Sequence, residues 1–411
     1  MDQILSADSP AALDEAAERP IHLLTFSTLY PHDGRPNHGI FVETRLRHLV
    51  ETGEATSVVL APVPWFPSSS ARFGDWARNA QAKRHESRHG LSVFHPRYAL
   101  PPKIGMSIAP ASLLAAALLE VRRISASGTK VDLIDGHYLY PDGVVAVALG
   151  RLIDRPVVLT ARGSDITQLP DYAGPRRMVQ WAMRHASALI SVSRGLQSAM
   201  VKLGAPESKV TVLRNGVDLD LFRPGDRHAV REKFAVKGTL LLSVGHLIER
   251  KRHDLALRAV AEIPGCTLAI VGEGPEKDSL ERLALSLGIA DRVRLCGPQP
   301  HAALPGFYSA ADLLILASSR EGWANVLLEA MACGTPVVAS NIPGNAEVVA
   351  DSAAGEVVEQ NTPTHFAQSI QRVLGSKRSR AETRAYAENF SWDATSQGQL
   401  RVFRQVLRAA T

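Results

Sequence analysis

Cysteine is scarce in this chain. Cys266, Cys296 and Cys333 stand far apart among 411 residues, too dispersed for a disulfide framework and without metal-ligand spacing. They read as small apolar side chains in a reducing compartment. Long apolar runs are missing too. The longest, Ile108 to Leu119, contains Pro110 and falls well short of the about 20 residues a spanning helix needs, so it suits a buried helix. Residues 1–20 carry Asp2, Asp8, Asp14, Glu15 and Glu18 against Arg19 alone. That is the wrong sign for a signal n-region, and a loosely ordered tail is expected. The expected setting is the cytoplasm, with at most peripheral attachment to the inner face of the plasma membrane.

A large charge excess is also lacking. The net charge is +5, with 21% charged and 45% hydrophobic residues, which excludes a disordered or fibrous class. The mild positive balance favours nucleotides or acidic headgroups as partners, although a soluble surface accounts for it equally, and nucleic acid is not among the expected partners.

What is present is a rhythm. From Ile21 short apolar runs alternate with helical stretches: strands at 21–26, 57–61, 131–135, 157–160, 188–192 and 210–213, and helices at 41–52, 143–153, 176–186 and 194–203. A second alternation starts at Leu240, with strands at 240–244, 267–271, 293–295, 313–316 and 337–340. Continuous Val/Ile/Leu strands separated by helices predict parallel sheets covered on both faces. Length alone favours two domains. The expected fold class is α/β, with two doubly wound Rossmann-like domains, residues 21–220 and 221–392, facing across a cleft. A C-terminal amphipathic helix over 393–411 packs on the second sheet or crosses back to the first domain.

The stretch Glu321-Gly322-Trp323-Ala324-Asn325-Val326-Leu327-Leu328-Glu329 carries the most chemistry. In one continuous helix its two glutamates would lie about 80° apart and roughly 12 Å along the axis, a poor acid–base pair. A helix starting near Ala324 or Asn325 instead leaves Glu321 in a loop and Glu329 one turn inside, with open N–H groups between them for phosphate. Two solvated glutamates on a surface helix would give the same spacing. Two further strand ends, three in all, suggest a shared pocket. Gly245-His246 leads to Arg250 and Lys251, where lysine offers a point charge. Val271-Gly272-Glu273-Gly274-Pro275 is the third, and Gly297 is expected among the donor-binding residues.

Together with Asn215-Gly216-Val217-Asp218, these residues resemble the retaining glycosyltransferases of family 4, with the GT-B fold. The likeness covers Ile21 to about residue 405. His38-Gly39-Ile40-Phe41-Val42-Glu43 and Tyr140-Pro141-Asp142-Gly143 resemble its bacterial surface-polysaccharide branch. The resemblance implies that Glu321 contacts the donor sugar and Glu329 the ribose. It also implies that main-chain groups from Gly322 through Leu327 meet sugar and diphosphate, that Lys251 neutralises the departing diphosphate, and that Gly39 approaches it from the first domain. No cofactor or metal is implied. The C-terminal helix would then cross back to the first domain.

Two departures stand out. His246 replaces the family's usual arginine, which shifts weight onto Lys251, helped by Arg250. Arg162 replaces a histidine in Thr160-Ala161-Arg162-Gly163-Ser164-Asp165. It either donates to a sugar hydroxyl or developing phosphate charge or pairs with Asp165 and only shapes the loop. His137 and Tyr138 are placed on the acceptor side, a satisfied structural histidine being the alternative for His137. Asp218-Leu219-Asp220 has a metal-binding look but sits in the linker and is set aside. The segment Trp65–Gly90 mixes Trp65, Phe66, Phe73 and Trp76 with Arg72, Arg78, Lys83, Arg84 and Arg88, which suits an anionic membrane or a lipid-linked acceptor, or simply a solvated insertion.

The reading is a hexosyltransferase-type enzyme moving a sugar from a nucleotide-diphosphate donor to a saccharide or lipid-linked acceptor in exopolysaccharide or lipopolysaccharide synthesis. Its rivals are a nucleotide-sugar epimerase on the same fold and a non-catalytic nucleotide-sugar-binding protein.

Overall fold

The computed structural model describes residues 19–101, 105–236 and 238–410. The expected tail over 1–20 lies, apart from its last two residues, outside them, as does Thr411. The first half of the chain builds an eight-stranded sheet in the order Val210–Val212, Ala188–Ser191, Val157–Ala161, Leu133–His137, Ile21–Phe26, Ala55–Leu60, Leu91–Phe94, His85–Arg88. All neighbours run parallel except the final pair. The second half builds a parallel six-stranded sheet, Val293–Leu295, Cys266–Val271, Thr239–Val244, Leu313–Leu316, Val337–Ala339, Gly355–Val357. Strands such as Cys266–Val271 and Val157–Ala161 are buried at every position, because helices cover both faces of each sheet.

Strand order reverses once in each sheet. In the first, the chain works outward from Ile21–Phe26 and returns to its other side with Leu133–His137; in the second the same happens between Thr239–Val244 and Leu313–Leu316. At a switch point the connecting loops diverge to opposite faces and leave a crevice beyond the strand ends. The loops after these four strands carry Leu29 to Gly39, Tyr138, His246 and Glu321, and all of these loops line one cleft.

The helix Trp392–Ala410 leaves the second half and packs on the first. Leu400, Val402, Phe403 and Val406 lie in a core with Ile21, Leu23, Val42 and Leu46. Truncating fully buried Phe403 to alanine would cost on the order of 3–5 kcal/mol.

The segment after Ala61 holds more regular structure than its composition suggests. It forms a short helix, Asp75–Ala80, and the antiparallel edge pair His85–Arg88 and Leu91–Phe94. Phe66 packs against Phe73 and Trp76, with ring centroids 5.1 and 5.6 Å away. Three of its cations are held by carboxylates: Arg78 by Glu273 at 2.8 Å, Lys83 by Asp33 at 2.7 Å and Arg88 by buried Glu43 at 2.6 Å. The Arg78 pair spans the two halves, so the segment closes one end of the cleft and is not wholly the free cationic patch its composition suggests.

Candidate functional site

The helix Asn325–Ala332 begins where Glu321 is left in the preceding loop and Glu329 stands inside the second turn. Lys251 donates to Glu321 Oε1 at 2.7 Å, and an Arg250 nitrogen lies 3.4 Å from Oε2. Burial works against a charged Glu321. The two cations outweigh it and hold the carboxyl below its usual range.

Above this group opens a cavity of about 510 Å³. From the second half it is lined by His246, Arg250, Lys251, Arg320 and residues 321–326; from the first, by Arg35, His38, Gly39, Tyr138, Arg162 and Ser164, among others. Gly39 ends the incoming loop at φ 68°, where an added Cβ would sit 2.3 Å from the Leu29 carbonyl oxygen. Only glycine allows that turn at that distance. At the bottom of the cleft the two halves touch backbone to backbone, and a Cβ on Gly322 would fall 2.2 Å from the Arg162 carbonyl oxygen.

Glu329 does not share that cavity. It lies in a recess of about 30 Å³ with Phe222, His301 and Asp218, next to Asn325 and Phe41, which border both spaces. Tyr308 donates its hydroxyl to Glu329 at 2.7 Å, and His301 Nε2 lies 3.5 Å from the other oxygen. Burial alone would lower the His301 pKa, but the hydrogen bond and charge of Glu329 raise it.

Several expected site residues are placed otherwise. Leu327 is fully buried, its side chain in the core, and its N–H turns back to the Ala324 carbonyl. Gly272 and Gly297 bond to each other at 3.0 Å. They sit one residue behind Glu273 and Pro298, which line an adjoining space of about 700 Å³. Trp323 borders the cavity yet is 6% exposed, its ring facing the Arg214 guanidinium at 5.7 Å. Burial, Lys251 and Arg35 all lower the His246 pKa and so favour its neutral form.

Arg162 fits neither expectation in full. Asp165 accepts the backbone N–H groups of Arg162, Gly163 and Leu139, which shapes the loop without any side-chain pairing. The guanidinium turns elsewhere, to His137 Nδ1 at 2.6 Å and to Asn215 Oδ1 at 3.1 Å. His137 is 1% exposed and its Nε2 meets Asp135 Oδ2 at 3.1 Å, so it stands behind Arg162 and does not line the acceptor side. Tyr138 does line the cavity, with its hydroxyl 2.8 Å from Ser164 Oγ. In the linker, Asp218 Oδ1 accepts from the N–H groups of Asp220 and Leu221, a local turn in keeping with setting the pair aside.

Sequence reasoning missed Arg35 and His38 as cavity residues, although His38 stands beside Gly39 in a stretch it singled out. It also missed Asn215, whose amide bridges Arg162 and Asn325 Oδ1, the latter at 3.1 Å; its Asn-Gly-Val-Asp context was the available signal. Asp142 gave none. Fully buried, it accepts from the Thr28 N–H and hydroxyl at 2.7 and 2.9 Å and so holds the start of the loop leading to Gly39. Burial pushes its pKa up to about 7, despite the Thr28 and Ser27 hydrogen bonds.

Two largely parallel sheets facing across a cleft lined from both switch points have the GT-B architecture. The family profile described as Glycosyl transferases group 1 matches residues 226–390, and that described as Glycosyltransferase Family 4 matches residues 39–221. The chain belongs to this glycosyltransferase family. It is 33% identical over 308 residues to a D-inositol 3-phosphate glycosyltransferase of Frankia alni, covering 68% of this chain and 75% of that protein. It is 38% identical over 218 residues to the protein of that name from Segniliparus rotundus, spanning 50% of this chain and only 49% of the relative. Among solved structures, the sucrose-phosphate synthase of Thermosynechococcus elongatus superposes with TM-score 0.77 at 18% identity, over 95% of this chain and 100% of that one. Anabaena HepE in complex with UDP-glucose gives 0.72 at 20%, over 94% and 99%. Such identities speak to the fold alone.

Proposed function

We propose that this glycosyltransferase moves a hexose or related sugar, with retention of configuration, from a nucleotide-diphosphate sugar to a saccharide or lipid-linked acceptor in bacterial exopolysaccharide or lipopolysaccharide synthesis. The observation that carries the reading is Glu321, held by Lys251 at 2.7 Å just before the open end of the helix Asn325–Ala332, inside the interdomain cavity. A carboxylate in that place suits sugar hydroxyls, while the adjacent N–H groups and lysine suit a diphosphate. Glu329 accepts a ribose hydroxyl that reaches its small recess past Asn325 and Phe41. HepE, solved with UDP-glucose, supports a donor of this class.

Chemistry on this donor consists of letting the nucleotide diphosphate leave. Lys251, Arg250 and the helix N-terminus form a fixed positive field where that charge develops. The acceptor hydroxyl attacks from the face the nucleotide departs and passes its proton to the departing diphosphate oxygen, while Glu321, already bound to two cations, takes no covalent part. The reaction needs no metal or other cofactor, and turnover is expected to survive EDTA. The working site is the cytoplasmic face of the membrane, met through exposed Trp65, Arg72 and Arg84. Sedimentation with anionic liposomes, lost in the Arg72→Glu/Arg84→Glu variant, tests this; unchanged sedimentation removes it.

A second reading of the acceptor has its own support. Glu321 is the one carboxylate among the cavity's lining residues, and Arg35 is paired outside it with Asp75 at 3.3 Å, so Arg162 and Arg320 are left to balance beyond Lys251 and Arg250, which meet the donor diphosphate. A phosphorylated polyol, as in the relatives' names, would complete that balance, as would the phosphates of a lipid-linked saccharide. Incubation with a panel of nucleotide sugars, plus either membrane extract or inositol phosphates, separates the readings. Released nucleotide together with labelled glycolipid supports the first, and with a water-soluble glycoside the second. An altered sugar without nucleotide release, or binding alone, would overturn both.

A further inference from the structure

Behind the cleft lies a buried polar chain that starts on the C-terminal helix and ends at the reacting site. Arg45 Nε donates to Gln399 Oε1 at 2.9 Å, and Gln399 Nε2 donates to Asp135 Oδ2 at 3.0 Å. The same oxygen meets His137 Nε2 at 3.1 Å, while His137 Nδ1 lies 2.6 Å from an Arg162 nitrogen. Arg162 continues through Asn215 to Asn325, at the first turn of the donor-side helix.

The chemistry of the donors fixes the proton positions. A guanidinium only donates, so Nδ1 of His137 accepts, and Nε2 carries the hydrogen given to Asp135. Burial and the arginines keep the imidazole neutral, with its pKa lowered to about 4 despite Asp135. Two guanidinium groups, Arg45 and Arg162, thus share one nearby carboxylate, because Asp165 gives its oxygens to backbone N–H groups. Each guanidinium also keeps a buried nitrogen without a partner, Nη2 of Arg45 and Nε of Arg162. Donor capacity exceeds acceptors here, and of the two guanidinium groups Arg162 is the one that reaches the cavity.

We propose that His137, backed by Asp135 and Gln399, is a positioning residue that holds the Arg162 guanidinium at the cleft floor as a fixed anchor for an anionic group of the acceptor. The inference rests on the sugar-transfer reading above. It makes the C-terminal helix part of the site's support, because Gln399 orients the carboxylate that orients the imidazole. A ring that gives one nitrogen to Asp135 and offers the other to Arg162 leaves the guanidinium little rotational freedom, which is what a ligand-binding cation requires.

The test is a double-mutant cycle. Asparagine places its side-chain oxygen near the position of Nδ1, so His137→Asn keeps the acceptor for Arg162. Glutamine reaches the position of Nε2, so His137→Gln keeps only the link to Asp135. His137→Gln and Arg162→Ala are each expected to lower kcat/KM for the acceptor by about tenfold or more, with nucleotide-sugar protection in thermal melts unchanged. His137→Asn should retain most of the activity. Adding His137→Gln to Arg162→Ala should change nothing further, since a positioning residue has no task once its charge is gone. Multiplicative effects, or equal losses for the two His137 variants, would overturn the proposal. The same cycle is read on inorganic phosphate affinity by calorimetry, which needs no turnover. Failure of all transfer in the wild type therefore counts against the functional reading, while phosphate binding, coupled or uncoupled across the cycle, still decides this one.

Discussion

The carbonyl oxygen of Arg162 lies where a side chain on Gly322 would begin: a Cβ there would come within 2.2 Å of it and 2.8 Å of the Gly163 Cα. Neither neighbour is the end of a flexible side chain, so the backbones themselves must part. Gly322→Ala is therefore expected to hold the two halves open while each keeps its own core. Turnover should fall by at least about tenfold, as small misplacements of reacting groups do, with a larger radius of gyration in solution scattering and a nearly unchanged melting temperature. Wild-type turnover in this variant would mean that the closed contact is not the working state.

The two glutamates separate in function as they do in space. Glu321→Gln keeps the shape but loses the charge that pairs with Lys251. It is expected to cut kcat by about a hundredfold while nucleotide affinity stays within a few-fold of wild type. Glu329→Gln weakens the acceptor for ribose hydroxyls in the recess with His301 and should mainly raise the nucleotide Kd, by about tenfold. Titration calorimetry with the nucleotide, beside initial rates, distinguishes them, and equal small losses in both would count against the assignment.

His246 offers a gain-of-charge test. Its pKa is depressed below the ordinary histidine value by burial, Lys251 and Arg35, so the neutral form prevails from pH 7 to pH 8. Donor affinity is expected to be flat across that range, and His246→Gln to leave it so. His246→Arg adds a cation beside Lys251 and should tighten nucleotide binding while steepening its salt dependence. A titration limb near pH 6.5 that disappears in His246→Gln would contradict the neutral assignment.

Much of the donor half was legible in the sequence, and the reason is local. The start of the helix at Asn325, the loop position of Glu321 and the strands 293–295 and 313–316 follow from periodicity and from neighbours a few residues apart. The acceptor half resisted for the opposite reason. Arg162 is placed by His137 and Asn215, and Asp135 by a glutamine 264 positions further on, and no spacing rule connects them. One edge strand of each sheet was missed on physical grounds as well. His85–Arg88 alternates exposed and buried residues, and Gly355–Val357 has Glu356 at its centre, so neither shows the continuous apolar run that betrays a central strand.

Asp142 predicts a pH signature in stability. Its carboxyl titrates near 7 in the folded chain, against about 3.9 when unfolded. Between those values the folded state holds more protons than the unfolded one, so this group's contribution declines as pH rises from 4 to 7 and is flat above. Asp142→Asn lacks that slope. Its stability relative to wild type should improve between pH 5 and pH 8 by more than about 1 kcal/mol, read from urea midpoints at both values. A constant difference would place the charge elsewhere.

The return of the last helix to the first sheet has a mechanical consequence. The chain passes between the halves twice, and the two passages lie side by side, with Val217 N–H bonded to the Phe390 carbonyl at 2.9 Å. One tether would let the lobes swivel freely. Two adjacent tethers make a hinge with a single easy axis, along which the lobes can rock open and shut while torsion and lateral slip are resisted. Substrates can thus enter and leave while the strand ends that carry the Gly39 loop and Glu321 keep meeting in the same register.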